Sequence, residues 1–281
     1  MMHRLLDIVR TTAATTARGE LALAFSGGLD SRFLAHAMQL AGVPCQLFHC
    51  SGAHVAQAES RYAQHWAAKQ GLPLTLLPCN PLLLPAVAAG SKERCYACKH
   101  ALFSQILAQL QGQTLCDGSN MSDAAQFRPG RRALHELGIV SPLALAGITK
   151  AQVRMLAQQT GLENPMQQAR PCLLTRLPYG MPPSPALLRR LELCETIVLA
   201  VFEQHYSAQN QPDFRVRCLA TGGLVIHCTH MPDKNVCLSL YTALAKHGLA
   251  APVEVIEKLS GFFDRMPELH ETKPSPTDDF S

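Results

Sequence analysis

Short apolar runs alternate with helical patterns over the first half of the chain. Each run is uninterrupted and only a few residues long, as expected for strands that are buried on both faces. The runs lie at residues 21–25, 44–49, 72–77 and 114–116. The spacing of apolar residues predicts helices at 3–17, 32–40, 56–69 and 149–161. This alternation predicts an α/β fold, in which a mostly parallel sheet carries helices on both faces.

A proline-rich stretch at residues 179–185 separates this pattern from a second one. Clustered prolines are incompatible with regular structure, so this stretch is the best candidate for a domain boundary. Beyond it we predict a small α+β unit, with helices at 186–205 and 234–247 and strands at 214–218, 223–228 and 252–257. We therefore predict a first domain over residues 1–180, a second domain over 181–272 and a disordered tail over 273–281.

The composition is that of a folded protein. The chain has 281 residues, of which 47% are hydrophobic and 16% charged, enough to form a sizeable core and to exclude wholesale disorder. No apolar run approaches the ~18 residues of a membrane-spanning helix. The N-terminal residues also lack the features of a signal peptide. We expect a soluble cytoplasmic protein with no membrane partner.

The net charge is +4, which is mild for this length, and there is no lysine or arginine tract. A small phosphate-bearing ligand fits this charge better than a nucleic acid does. The eleven cysteines are an odd number and too sparse for a disulfide scaffold. In a reducing cell we expect thiols, buried small hydrophobes or metal ligands. The histidines show no pair at metal-ligand spacing, so none is assigned a role.

The strongest local motif follows the first predicted strand and reads Ser26-Gly27-Gly28-Leu29-Asp30-Ser31. Glycines at a turn between a strand and a helix let the backbone approach an anion, and the helix N-terminus then favours phosphate. The two serines add hydroxyl donors, and Asp30 can hold magnesium. The alternative is a tight turn with a serine cap. The motif is not a Walker A loop, because no Gly-Lys-Ser/Thr follows.

Asp117 and Gly118 follow the fourth predicted strand. In parallel sheets, ligands bind at the carboxyl ends of the strands, where Ser26 and Asp117 both fall. The loop resembles the signature of the PP-loop ATP pyrophosphatases. This resemblance implies an adenine nucleotide alpha-hydrolase-like fold and cleavage of ATP between its α- and β-phosphates. It also implies a set of ATP-binding residues, namely Ser26, Gly27, Gly28, Asp30, Ser31, Asp117 and Gly118.

Further motifs narrow the resemblance. They occur in order at residues 94–99, 117–130, 136–143, 172–180 and 214–217. The series, from about residue 20 to 218, is similar to the LarE-type sulfur transferases of nickel-pincer nucleotide synthesis. The resemblance implies that ATP and Mg²⁺ adenylate a carboxylate of a pyridinium dicarboxylate mononucleotide. Sulfur then displaces AMP. It further implies a homo-oligomer that acts on a small-molecule nucleotide.

The same resemblance assigns roles to individual residues. Cys172 is the sulfur-carrying cysteine and acts with Asp30 in catalysis, while Arg215, Arg217 and Thr175 bind the substrate phosphate. The two arginines alternate on a strand and therefore point to one face. The alternative for them is an exposed strand edge. Glu195 lies near the position of an acidic family residue, but we interpret it as an exposed glutamate on a long helix.

Cys95 and Cys98 form a Cys-x-x-Cys pair just before a predicted amphipathic helix. Alone, this spacing is compatible with half of a zinc site, a redox pair or coincidence. The resemblance implies that Cys95, Cys98 and Cys172 hold a 4Fe-4S cluster, since thiolates suit such clusters. In another branch of the family, the residue at Cys172 gives up its own sulfur. The remaining cysteines, among them Cys50, are expected to be buried apolar residues.

Two other functions stay open. A tRNA thiolation enzyme shares the ATP loop and three cysteines, but it would need a basic groove or an RNA-binding module. A nucleotide-binding regulator would carry structural zinc on Cys95 and Cys98, without labile sulfide.

Overall fold

The computed structural model describes residues 1–124, 130–207 and 210–265. The tail predicted at 273–281 lies outside these residues. Two sheets are formed by strands β1 (Leu21–Ala24), β2 (Cys45–Ser51), β3 (Leu74–Pro78), β4 (Thr114–Asp117), β5 (Phe214–Cys218), β6 (Leu224–Cys228) and β7 (Val253–Val255).

Helices connect and cover these strands. In chain order they are α1 (Met2–Ala14), α2 (Leu29–Leu40), α3 (Gln57–Lys69), α4 (Pro85–Ala88), α5 (Arg94–Leu107), α6 (Met121–Ala124), α7 (Gly130–Glu136), α8 (Pro142–Leu145), α9 (Lys150–Gln159), α10 (Pro185–His205) and α11 (Lys234–Ala245). Short 3₁₀ turns occur at Pro81–Leu83, Leu173–Arg176 and Phe263–Arg265.

The first sheet is parallel throughout, with the order β3-β2-β1-β4. Successive residues of β1 enter different cores because side chains alternate across a strand. Leu21 and Leu23 pack in a core with side chains of α1, α2, α3 and α9. Ala22 packs on the opposite face with side chains of α5 and α7. The predicted α/β fold with helices on both faces is confirmed.

The second sheet has the order β5-β6-β7, in which β5 and β6 are antiparallel and β6 and β7 are parallel. Its apolar face forms a third core with α10 and α11. Val87 and the buried leucines of the turn Leu173–Arg176 also pack in this core. A small mixed α+β unit thus follows the parallel sheet, as predicted. The division of the chain at residue 180 stays a prediction.

Most predicted elements occur within a few residues of their predicted positions. Strand β5 has the predicted bounds, whereas α1 ends at Ala14 rather than near residue 17. The Cys-x-x-Cys pair does not precede its helix, because α5 begins at Arg94 and contains both cysteines. No helix among the described residues is long and apolar enough to cross a membrane.

Gly27 is required by both its conformation and its surroundings. Its φ is +77°, in the left-handed region that favours glycine. A Cβ atom at this position would lie 2.7 Å from the Cβ of Ala63 on α3. The loop after β1 therefore packs directly against α3, and only glycine permits this approach.

We predict that Gly27→Ala lowers the free energy of unfolding by about 3 kcal/mol, from left-handed strain together with overpacking. The matched control is Gly19→Ala, where φ is +66° and no atom lies within 4 Å of an added Cβ. That variant should lose only about 1 kcal/mol. Urea-induced unfolding followed by circular dichroism measures both. Equal losses would show that the contact with α3 does not constrain the loop.

Candidate functional site

The loop between β1 and α2 is held by its own serines. Ser26 Oγ lies 3.1 Å from Ser31 Oγ and accepts a 3.3 Å hydrogen bond from the Gly28 amide. Ser31 Oγ also lies 3.0 Å from the Gly28 carbonyl oxygen. Gly28 is the N-cap of the twelve-residue helix α2, so the loop is located at the positive end of the helix dipole. This arrangement suits an anion such as a phosphate group.

Asp30 lies in the first turn of α2 and pairs with a lysine that the sequence did not single out. Lys150 Nζ is 2.6 Å from Asp30 Oδ2, and both side chains are about one quarter exposed. Lys150 is the first residue of α9, whose capping box is formed by Thr149 and Gln152. The capping residues therefore bring a cation to the loop between β1 and α2 (residues 25–28), which we call the phosphate loop after its predicted ligand. The carboxylate of Asp30 can hold Mg²⁺ only in competition with this lysine.

Asp117 and Gly118 approach the same loop from β4. A Cβ on Gly118 would lie 3.0 Å from the Ser31 amide nitrogen, so this glycine lets the end of β4 contact the start of α2. Asp117 is buried and accepts 2.5 Å hydrogen bonds from Ser119 and Ser141. The structure therefore brings Asp117 to the predicted edge, where two serine hydroxyls bind its carboxylate oxygens.

Helix α3 connects the loop to a second group of side chains. Ala63 contacts Gly27, and Glu59 lies four residues earlier, on the same face of the helix. The rise between them is about 6 Å. Glu59 Oε1 lies 3.7 Å from Arg170 Nε, and burial raises the pKa of Glu59. The charged group around Glu59 is thus one helical turn from the phosphate loop.

This charged group contains four arginines and two glutamates, and we call it the arginine cluster. Its members are Arg170, Arg176, Arg215, Arg217, Glu59 and Glu195. Burial, together with the nearby charge of Arg176, lowers the pKa of Arg215 to about 10 and that of Arg217 to about 9. An anionic ligand would offset this mutual repulsion, as expected for a phosphate-binding site.

The two predicted phosphate-binding arginines have different surroundings. Arg215 is half-buried and donates to the carbonyl oxygens of Phe214 and Ala169. Arg217 is 3% exposed and bonds His227 Nδ1 at 2.6 Å. Its guanidinium also stacks 4.5 Å from the Phe262 ring centroid. Arg217 is therefore held by protein groups, whereas Arg215 borders the partly exposed side of the cluster.

Thr175 links the arginine cluster to Cys172. Its hydroxyl lies 2.8 Å from the Cys172 carbonyl oxygen and accepts a 2.9 Å hydrogen bond from Arg176 Nη1. Arg176 is almost completely buried and pairs with Glu195, with Nε 2.6 Å from Oε1. Our interpretation of Glu195 as an exposed glutamate is wrong, because its side chain is only 12% exposed. Helical periodicity did not reveal this pair because its partner lies in a 3₁₀ turn.

Cys95 and Cys98 lie on the first turns of α5, and Cys172 directly precedes the 3₁₀ turn. All three are partly buried free thiols. Burial raises the pKa of Cys98 to about 12 and also raises that of Cys95. The Cys172 thiol adds to both shifts by repulsion, so it lies in the neighbourhood of the pair, although the three sulfurs do not all lie within 4.8 Å of one another. The donor set fits an iron–sulfur cluster, whose positive irons would stabilise adjacent thiolates.

Arg94 holds the segment that follows Cys172 against α5, the helix that carries Cys95 and Cys98. Its guanidinium is buried and donates to the carbonyl oxygens of Leu177 at 2.7 Å and Pro178 at 3.2 Å. It also stacks 4.5 Å from the centroid of the Tyr179 ring. Because Arg94 immediately precedes Cys95, these contacts keep the two cysteine-bearing segments side by side.

Cys50 and Cys79 form a disulfide at the ends of β2 and β3, which the cysteine pattern did not predict. His54 is buried beside them, and its Nε2 lies 3.9 Å from Cys50 Sγ. Of the described residues, only these three form a group of cysteine, histidine or acidic ligands within 4.8 Å of one another. We expected a buried apolar role for both cysteines and none for the histidine. No spacing between these residues pointed to the group beforehand, because the pairing of β2 with β3 brings the two cysteines together.

Comparison with known proteins adds three relatives. The chain is 35% identical to an uncharacterised protein of Synechocystis sp. over 162 residues, which are 56% of this chain and 60% of that protein. It is 26% identical to an uncharacterised protein of Methanocaldococcus jannaschii over 179 residues, 63% of this chain and 68% of the relative. No protein-family profile matches the chain.

The third relative has a named activity. It is the pyridinium-3,5-bisthiocarboxylic acid mononucleotide synthase of Lactiplantibacillus plantarum, 29% identical over 170 residues. The match covers 56% of this chain and 59% of the synthase, so this chain spans less than two thirds of that enzyme. The similarity supports the resemblance to the LarE-type sulfur transferases.

We predict that Glu195→Gln lowers the free energy of unfolding by about 3 kcal/mol, because it leaves the buried Arg176 without its counter-ion. The control is Glu93→Gln, since Glu93 pairs with Arg132 and both side chains are about half exposed. This control should lose less than about 1 kcal/mol. Chemical denaturation measures both variants. A loss at Glu195 no larger than at Glu93 would mean that the arginine cluster does not depend on this carboxylate.

Proposed function

We propose that this protein is an ATP-dependent sulfur transferase that acts on a carboxylate of a pyridinium dicarboxylate mononucleotide, in nickel-pincer cofactor synthesis. The observation that carries the proposal is the face of α3, where Ala63 contacts the phosphate loop and Glu59 pairs with the arginine cluster. Cys172 follows Arg170 by two residues. The arrangement would thus supply a nucleotide site, an anion site and a thiol site that lie next to one another. Similarity to the named synthase supports this assignment.

The first step would activate the carboxylate. A carboxylate is a poor electrophile until one of its oxygens becomes part of a leaving group. Its oxygen attacks the α-phosphorus of ATP, and the bond to the bridging oxygen of the β-phosphate breaks. Pyrophosphate leaves, and an acyl adenylate remains. The loop amides, Ser26, Ser31 and Lys150 would stabilise the phosphate charge, with Mg²⁺ held at Asp30.

The arginine cluster would orient the substrate by its phosphate group. Arg215 is half-buried and borders the cluster, so its guanidinium can form paired hydrogen bonds to phosphate oxygens. Thr175 would act beside it, since its hydroxyl lies next to the Cys172 carbonyl oxygen, whereas Arg217, held by His227, would add positive charge behind the phosphate. The substrate would then lie between the loop and the cysteines.

The second step would replace AMP by sulfur. A sulfur nucleophile attacks the acyl carbon, the bond to the AMP oxygen breaks, and a thiocarboxylate forms. Cys95, Cys98 and Cys172 would hold a 4Fe-4S cluster, which supplies the sulfur when bound. Three thiolate ligands leave one iron without a protein sulfur. The role of the protein is to keep the three thiols together and beside the phosphate site.

We predict that Asp30→Asn decreases the release of AMP and pyrophosphate by about 100-fold, because it removes the magnesium ligand at the loop. Both products are measured with a pyridinium dicarboxylate mononucleotide as substrate. Asp7→Asn is the control, since Asp7 is an exposed residue of α1. Unchanged product release in the Asp30 variant would exclude this residue from metal binding. Release that requires tRNA instead would indicate the thiolation enzyme.

We predict that the protein, reconstituted without oxygen, holds about four iron and four acid-labile sulfide per chain. Cys172→Ala should lose this cluster because it removes one of three thiolate ligands. Cys237→Ala should retain it, since Cys237 lies on α11, where its thiol donates to the Pro232 carbonyl oxygen at 3.5 Å. Elemental analysis and the visible absorption spectrum measure the difference. Zinc without sulfide would support a structural site on Cys95 and Cys98 instead.

A further inference from the structure

The carboxyl ends of β2 and β3 carry a second group of sulfur and nitrogen atoms, separate from the three cysteines considered above. Cys50 and Cys79 are adjacent, with a Cα–Cα distance of 6.2 Å. The pairing of β2 with β3 brings them together, because the Cys79 amide donates to the Ser51 carbonyl oxygen at 2.9 Å. The cysteines are thus brought together by the sheet, despite a separation of 29 residues in the chain.

A glycine lets the following loop fold back onto this pair. A Cβ on Gly52 would lie 2.1 Å from the Cys79 carbonyl oxygen, so no other residue fits. The Val55 amide donates to the Gly52 carbonyl oxygen at 3.0 Å and closes a turn. This turn places His54 against the sulfurs, where it is only 4% exposed. The local backbone therefore builds a pocket for one imidazole beside two cysteines.

The disulfide alone does not explain why the His54 imidazole is buried beside it. His49 lies on β2, the strand that also carries Cys50. Both of its ring nitrogens have partners, namely the Phe25 carbonyl oxygen at 2.9 Å and Ser60 Oγ at 3.0 Å. In contrast, His54 Nδ1 is buried without a hydrogen-bond partner. Burying a polar atom without a hydrogen-bond partner costs about 1–3 kcal/mol of folding stability. Of these two buried rings, only His54 carries that cost, and its other nitrogen, Nε2, is the one that lies beside the Cys50 sulfur.

We propose that Cys50, Cys79 and His54 form a metal site for zinc or a similar thiophilic divalent ion, and that the disulfide is its oxidised, metal-free form. A dithiol reductant gives two electrons and two protons to the disulfide and is itself oxidised to a disulfide. The ion then binds two thiolates and displaces their two protons into solvent. His54 adds a nitrogen ligand as a neutral imidazole. Three protein ligands leave a fourth position open, as in catalytic zinc sites.

This second site is joined to the thiol site by one backbone hydrogen bond. The Leu173 amide, directly after Cys172, donates to the His54 carbonyl oxygen at 2.8 Å. Metal binding to the His54 side chain would therefore restrain the residue whose carbonyl oxygen binds the Leu173 amide. The two sites share no ligand, since the first uses Cys95, Cys98 and Cys172. A metal bound at one site therefore occupies none of the ligands of the other site.

The test counts zinc on the full chain, reduced with a dithiol without oxygen and desalted after addition of zinc. Because the free thiols of Cys95, Cys98 and Cys172 compete for zinc under these conditions, the informative quantity is the difference in zinc content between variants. Cys79→Ser is expected to hold about one zinc fewer than the wild type. His54→Gln is expected to bind this ion at least about tenfold more weakly. Cys237→Ser, on α11, is the matched cysteine control and should equal the wild type.

A second measurement needs no substitution. Wild-type protein is prepared with the Cys50–Cys79 disulfide intact, as verified by peptide mass mapping, and compared with the reduced form. The reduced form should hold about one zinc more. Equal zinc in both forms would overturn the proposal and leave a plain disulfide. Equal affinity of the wild type and a folded His54→Gln variant would also overturn it, because the imidazole would then not be a ligand.

Discussion

Buried guanidinium groups organise the irregular segments of this protein. Arg32, Arg94, Arg176 and Arg217 are each at most 3% exposed. A charge removed from water must find partners, and here most partners are backbone carbonyl groups of loops. Arg32 binds the carbonyl oxygens of Glu163 and Asn164. Regular elements provide the scaffold, but these charges determine where the segments between them lie.

The same burial prepares the candidate site for an anion. Arg215 and Arg217 lie close enough to Arg176 for mutual repulsion, and burial weakens the hydration that would otherwise offset it. Glu59 and Glu195, with Asp213 acting on Arg215, provide three negative charges for the four arginines of the cluster. A phosphate would restore the balance. The crowding of positive charge in the free protein thus supports the proposal of a phosphorylated ligand.

The sequence predicted what depends on local patterns. Apolar runs located the four parallel strands, and the glycines at Gly27 and Gly28 located the loop. Contacts between distant residues were not predictable. Lys150 reaches Asp30 across 120 residues, and Arg176 pairs with Glu195 between a 3₁₀ turn and a helix. Helical periodicity reports which face of a helix is apolar, but it does not report that a glutamate on that helix meets a buried arginine.

Cysteine illustrates this limit most clearly, since an apolar strand pattern treats thiols as small hydrophobic side chains. Cys45 fits that description, because it is fully buried and burial raises the pKa of its thiol. Cys50 lies five residues later on the same strand, yet it meets Cys79 and His54 at the end of the sheet. The two cysteines differ in their position on the strand. Cys50 lies at the strand end, next to a loop that turns back onto Cys79 at Gly52. The Cys50–Cys79 disulfide therefore lies at the carboxyl edge of the parallel sheet, the same edge at which the loop between β1 and α2 begins.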